Sequence, residues 1–95
     1  MNKVIKKTKK SKIPIPKKFE VILLNDDYTT MDFVIEVLMT FFNKNHNIAT
    51  EIMLKIHIEG QAVCGVYPFD IAQTKVEQVI SYARKNEQPL LCIIN

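Results

Sequence analysis

The sequence predicts a single α+β domain with the element order β-α-α-β-α-β: a three-stranded sheet with its helices packed on one face, preceded by a disordered basic arm. Three observations lead to this reading. The chain has 95 residues, room for one hydrophobic core. Three stretches repeat apolar residues at helical spacing, and between them lie short apolar and β-branched runs bounded by turn formers. Charge is divided along the chain, because residues 1–18 hold eight Lys and no acid while residues 19–95 hold five bases and all ten acids. The formal net charge of +3 thus averages a basic arm with an acidic body.

The arm, residues 1–18, combines repelling lysines with Pro14 and Pro16, each of which fixes φ and removes a backbone donor, so it reads as a flexible extension. The folded domain is expected over residues 19–95. Phe19 to Leu24 reads as a strand stopped by the polar cluster Asn25-Asp26-Asp27. Thr29 followed by Asp32 resembles a capping box, and Met31, Val34, Ile35, Leu38, Phe41 and Phe42 then share one helix face. Asn43 to Asn47 interrupts that pattern. Asn47 is placed to cap a second helix, in which Ala49, Ile52, Met53 and Ile56 share a face and which Gly60 ends. Gln61 to Tyr67 reads as a strand. Pro68 suits the first position of a third helix, whose face is Ala72, Val76, Val79, Ile80 and Ala83 and which runs to Arg84. After Pro89 the run LLCII is short enough to be a strand covered on both faces.

Several function classes lose support on motifs alone. There is no H-x-x-x-H, no C-x-x-C, no EF-hand loop, no G-x-S-x-G and no glycine-rich phosphate loop, so neither catalysis nor a cofactor or metal is expected. Cys64 and Cys92 sit in apolar stretches and read as buried reduced thiols, which points to the cytoplasm. No apolar run reaches the length of a membrane span. Nucleic-acid binding through the arm's lysines is the alternative function, but the arm lacks arginine and aromatics and the acidic body repels a polyanion. One conjunction does stand out. Asn25, Asp26 and Asp27 end a strand just before Met31 and Val34, while His57 follows Met53 and Ile56 on another helix, which sets polar acceptors beside apolar residues as binding sites do.

The segments VILLNDDYTTMDFVIEVL, IMLKIHIEG, CGVYPFDIAQTKV and YARKNEQPLLC, in this order, closely resemble the ClpS family across residues 19–94. The resemblance implies an adaptor that binds proteins by a large hydrophobic first residue (Leu, Phe, Tyr or Trp) and delivers these N-degron substrates to a Clp AAA+ unfoldase and its peptidase. Asn25, Asp26 and His57 are then expected to hold the free α-amino group, with Asp27 and Thr29 shaping the loop and bonding near the first peptide unit. Met31, Val34, Met53, Ile56 and Leu90 are expected to line the side-chain socket. Asp70 and Lys75, near the start of the third helix, are the expected contacts to the N-terminal domain of a ClpA- or ClpC-type unfoldase, and the arm is expected to engage the unfoldase during handoff. The implied partners are the unfoldase and its substrates, with no nucleic acid and no membrane, and the implied state is a monomer. Three positions depart from the family's usual pattern: Thr30 stands in place of Pro, Lys55 in place of a small residue, and Ile56 in place of Val. The extra methylene of Ile56 is expected to trim the socket more for Trp than for Leu.

Overall fold

The computed structural model describes residues 16–95, so the expected disorder of the arm lies, for residues 1–15, outside the described residues. Six elements follow in the predicted order: β1 (Lys18–Leu24), α1 (Met31–Phe41), α2 (His46–Glu59), β2 (Gln61–Pro68), α3 (Phe69–Lys85) and β3 (Leu91–Ile94). The strands form one antiparallel sheet in the order β2-β1-β3. β1 begins one residue earlier than expected, since Lys18 pairs with Pro68.

The sheet's inner face is built by Val21 and Leu23 on the central strand, flanked by Ala62 and Cys64 on β2 and by Cys92 on β3, all buried. Leu38, Val37 and Phe33 of α1, Met53 and Ile56 of α2, and Ala72, Val79 and Ala83 of α3 close over it in one continuous core. Alanines at two of the three buried positions of α3 let its backbone approach the strands closely. Between Val21 and Ile22 the pairing passes from Gly65 to Val63, leaving Cys64 as the extra residue of a β-bulge, which adds local twist. The Tyr67 ring lies over Gly65, where a Cβ would collide with it.

Both cysteines are free and buried, and burial pushes each thiol up to about 12. They remain protonated and apolar, as the sequence suggested. β3 departs from expectation, because only one of its faces is covered: Cys92 is buried, whereas Leu91 and Ile93 are 51 % and 43 % exposed. An apolar run of this length does not by itself distinguish an edge strand with one bare face from a strand buried on both.

The helix boundaries show which local interactions won. Thr30, not Thr29, caps α1, its hydroxyl accepting from Phe33 N–H at 3.1 Å. Thr29 is drawn instead to Asp26, to which its hydroxyl donates at 2.7 Å. Asn45, not Asn47, caps α2, accepting from Ile48 N–H at 2.9 Å, so the helix starts two residues sooner than its apolar spacing implied. Pro68 occupies the N-cap of α3 and the end of β2, so the third helix begins one residue later than expected. Gly60 does end α2, in the left-handed conformation (φ 93°) that its lack of a Cβ permits. No helix among the described residues is long and apolar enough to cross a membrane.

Candidate functional site

Antiparallel pairing brings three chain connections to one end of the sheet: the loop leaving β1, the α2–β2 junction and the turn before β3. A cavity of about 280 Å³ opens there. Small-molecule clefts run to roughly 300–1,000 Å³, so this one suits a single large side chain.

Its mouth is polar. Asn25, Asp26, Asp27 and Thr29 border it from the loop after β1, and His57 borders it from the last turn of α2. Asn25 N–H donates to the carbonyl of Gly60 at 2.8 Å, which fixes the loop against the end of the helix that carries His57. Its floor is apolar. Met53, Ile56 and His57 fall at i, i+3 and i+4 on α2, so one helix face supplies two floor residues and the imidazole. Val34, Met53 and Ile56 are buried, while Met31 is 45 % exposed at the rim.

Asp26 is the organiser of the loop. Its Oδ1 accepts from Tyr28 N–H at 2.8 Å and Thr29 N–H at 2.7 Å, and its Oδ2 accepts from the Thr29 hydroxyl at 2.7 Å. A carboxylate offers about four lone-pair positions, so three are committed and one on Oδ2 remains. Burial pushes the Asp26 carboxyl up, but the Thr29 hydroxyl and N–H, the Tyr28 N–H and the nearby Arg84 charge together outweigh it and hold the group below the usual carboxylate range. The carboxylate is therefore charged throughout the neutral range. Among the described residues, neither the Asn25 side chain nor the His57 ring has a hydrogen-bond partner, and the Asp27 carboxylate has none either.

Nine of the ten residues expected at the substrate site border the cavity. Leu90 does not. It lies one residue before β3 with its side chain in the core, 1 % exposed, and its carbonyl accepts from Arg84 Nη1 at 2.9 Å. Asp70 and Lys75 lie on α3, outside the cavity. Asp70 is exposed and its Oδ1 accepts from Ile71 N–H. Lys75 is half-buried: its Nζ donates to the Phe41 carbonyl at 2.7 Å, satisfying the end of α1, and lies 5.6 Å from the centroid of the Tyr67 ring. Two residues that sequence reasoning passed over, Arg84 and Gln88, contact this end of the fold. Arg84 is the only arginine of the chain, a signal in the composition, whereas nothing local marks Gln88.

A family model for the ATP-dependent Clp protease adaptor protein ClpS matches residues 14–93. The chain belongs to the ClpS family. A ClpS adapter protein from Nitrosospira multiformis is 57 % identical over 91 residues, covering 96 % of this chain and 89 % of that one. One from Shewanella loihica is 64 % identical over 77 residues, covering 81 % and 76 % respectively. Among solved structures, Agrobacterium tumefaciens ClpS2 bound to L-phenylalaninamide matches with a TM-score of 0.82 at 34 % identity, over 85 % of this chain and 98 % of that chain. ClpS is by its family name an adaptor of a protease and not the protease itself. The basic-arm nucleic-acid reading finds no support in these relatives.

The geometry of Asp26 makes a titration testable. Because its folded-state pKa is depressed, the stability it contributes is present above the unfolded carboxylate value and is lost as pH falls through the folded value. Thr29→Val removes the hydroxyl donor to the ionised form. Its Asp26 titration, followed by carboxyl NMR, is expected to move upward toward the ordinary range. An unchanged midpoint would mean that the hydroxyl does not hold the carboxylate.

Proposed function

We propose that this chain is an N-degron adaptor: it binds the free α-ammonium and the large hydrophobic first side chain (Leu, Phe, Tyr or Trp) of a protein substrate and delivers that substrate to a Clp AAA+ unfoldase. The observation that carries this reading is the cavity itself, a mouth in which Asn25, Asp27, His57 and one position on Asp26 are open as acceptors, over an apolar floor with space for one side chain. An ammonium has three donors. The free position on Asp26 Oδ2, the Asn25 amide oxygen and an imidazole lone pair of His57 supply three acceptors. Each charge-assisted bond contributes about 1.5–3 kcal/mol, similar to burying one large apolar side chain. Asp27 and the Thr29 hydroxyl oxygen, whose proton is held by Asp26, would accept from the first peptide unit, and Met31, Val34, Met53 and Ile56 would hold the side chain. The ligand of the A. tumefaciens relative, L-phenylalaninamide, has a free α-amine, an aromatic side chain and a capped carboxyl, which are the features of a peptide's first residue.

Delivery draws on the opposite end of the sheet. The pairing of Lys18 with Pro68 sets the root of the arm beside the first turn of α3, and Phe19 packs edge-on against Phe69 at 5.4 Å. The root of the arm and Asp70 thus share one side, suited to engaging the unfoldase's N-terminal domain while the cavity stays open. The ClpA or ClpC type of unfoldase, the monomeric state and a cytoplasmic setting belong to this proposal.

The decisive test is acetylation of the ligand. Removing the charge and two donors from a Phe-initiated peptide is expected to weaken binding on the order of 100-fold, equivalent to about 3 kcal/mol of lost charge-assisted bonds. His57→Ala should weaken the free peptide strongly and the acetylated one hardly at all in fluorescence-anisotropy titrations, whereas Asp26→Ala, which also unties the loop, should weaken both. Equal affinity for free and acetylated peptides would sink the amine-reading role.

Met31 stands half-exposed at the rim, where an unbranched side chain crowds a β-branched ligand. Met31→Ala is expected to admit peptides starting with Ile or Val. A variant that ranks Leu, Ile and Val peptides as the parent does would remove Met31 from the socket wall.

Deleting residues 1–17 should leave peptide affinity unchanged, since the described residues that border the cavity all lie between 25 and 57. Degradation of a model substrate by the unfoldase and peptidase should stop. A truncated adaptor that supports the full degradation rate would refute the arm's part in handoff.

A further inference from the structure

In the loop that carries Asp26, three successive backbone donors, those of Tyr28, Thr29 and Thr30, go to side-chain oxygens. Tyr28 and Thr29 N–H go to Asp26, within the loop. The next donor leaves the loop altogether, because Thr30 N–H donates to Gln88 Oε1 at 3.1 Å across 58 positions of sequence. Gln88 sits in the turn between α3 and β3, and that turn is itself braced. Gln88 N–H donates to the Ala83 carbonyl at 2.8 Å, and Arg84 Nη1 donates to the carbonyls of both Gln88 and Leu90 at 2.9 Å. One arginine nitrogen thereby holds the backbone on either side of Pro89. The preceding residue, Glu87, takes a left-handed conformation (φ 60°) that turns the chain back toward the loop.

We infer that Gln88, braced by Arg84, is a positioning residue for substrate recognition: its side-chain oxygen ties Thr30 N–H and so fixes the far end of the loop that presents Asp26 to the ligand amine and Thr29 to the first peptide unit. This inference rests on the amine-reading function proposed above and adds to it residues that do not border the cavity. The loop has two anchors to the rest of the fold. Asn25 N–H on the Gly60 carbonyl is the first, a backbone pair that no side-chain change removes. Gln88 is the second, and it depends on one side chain. It depends equally on residue 30 having an N–H, which proline lacks, so the tether is a property of Thr30 in this sequence. With the tether intact the loop meets its ligand already ordered, and the entropy of ordering it is not charged against binding.

The test compares the full chain with Gln88→Ala and Gln88→Glu, the latter keeping a side-chain oxygen at the same reach. Three readings are taken: affinity for a Phe-initiated peptide with its amine free or acetylated, amide hydrogen exchange at Thr30, and the thermal midpoint. Gln88→Ala is expected to weaken the free peptide roughly 3- to 10-fold, the range set by one hydrogen bond of ordinary net strength. Thr30 should lose exchange protection while the thermal midpoint stays at the parent value, and Gln88→Glu should restore both protection and affinity. If Gln88→Ala binds like the parent, or Thr30 protection is unaltered, the tether is overturned and amine reading stands. A loss of affinity that tracks a lowered thermal midpoint and is not rescued by Gln88→Glu also overturns it, in favour of a general structural role. A parent that fails to prefer the free amine over the acetylated peptide defeats the adaptor reading, and the positioning role with it.

Discussion

Leu24 pairs with Gln61 on one side and with Leu91 on the other, and the candidate site follows from that register. A central strand whose last residue meets the first residue of both neighbours forces three connections to one end of the sheet. The loop after β1, the left-handed turn at Gly60 and the braced turn before β3 therefore become neighbours, although they are about 30 residues apart in sequence. The apolar face of α2 brings Met53 and Ile56 to the same place because the helix must end where β2 begins. A slip of one residue in the β1–β2 pairing would set the inward side chains of the two strands against opposite faces and shift His57 relative to Asp26, so the fold's stability and the site's geometry are held by the same contacts.

On the proposed reading Asp26 has two tasks that compete for its oxygens. A loop of this length carries backbone donors with no helix or strand to satisfy them, and leaving them unpaired is costly. Asp26 takes two of these donors and a hydroxyl, and so builds the loop. The same bonds favour its ionised form, so the side chain that orders the loop is also held charged, as the proposed binding of an ammonium requires. Asn at this position would offer one oxygen in place of two and no charge. It could take the two N–H bonds but would have nothing left for both the Thr29 hydroxyl and an ammonium.

The helices were legible in the sequence because their apolar faces repeat over two to four turns, and Gly60 was legible because a helix stop there suits only a residue without a Cβ. The caps were less so. Thr29 and Thr30 are adjacent and chemically alike, and only Asp26's claim on Thr29 leaves capping to Thr30. Asn45 and Asn47 posed the same ambiguity. The cavity residues emerged from a conjunction of polar and apolar residues at the two helix ends, sharpened by the family motifs. Leu90 did not follow, because Pro89 sets where the strand may start but not which way the preceding side chain points, and the core claimed it. Gln88 and Arg84 were invisible for a more general reason. Their partners are backbone atoms, and a backbone carbonyl or N–H carries no sequence signature.

The end that carries the cavity and the end proposed for docking are joined by β1, with Val21 and Leu23 fully buried, and no polar or charged side chain is buried among the described residues. A close-packed apolar core resists continuous deformation. On the proposed reading, occupancy of the cavity is then expected to leave the surface around Asp70 and the root of the arm unaltered. The adaptor would act by tethering alone: it holds a substrate's N-terminus near the unfoldase and replaces a bimolecular encounter with an effective concentration set by the reach of the arm. That mechanism asks of the domain only rigidity at one end and an accessible side at the other. A single 95-residue chain with one core meets both demands.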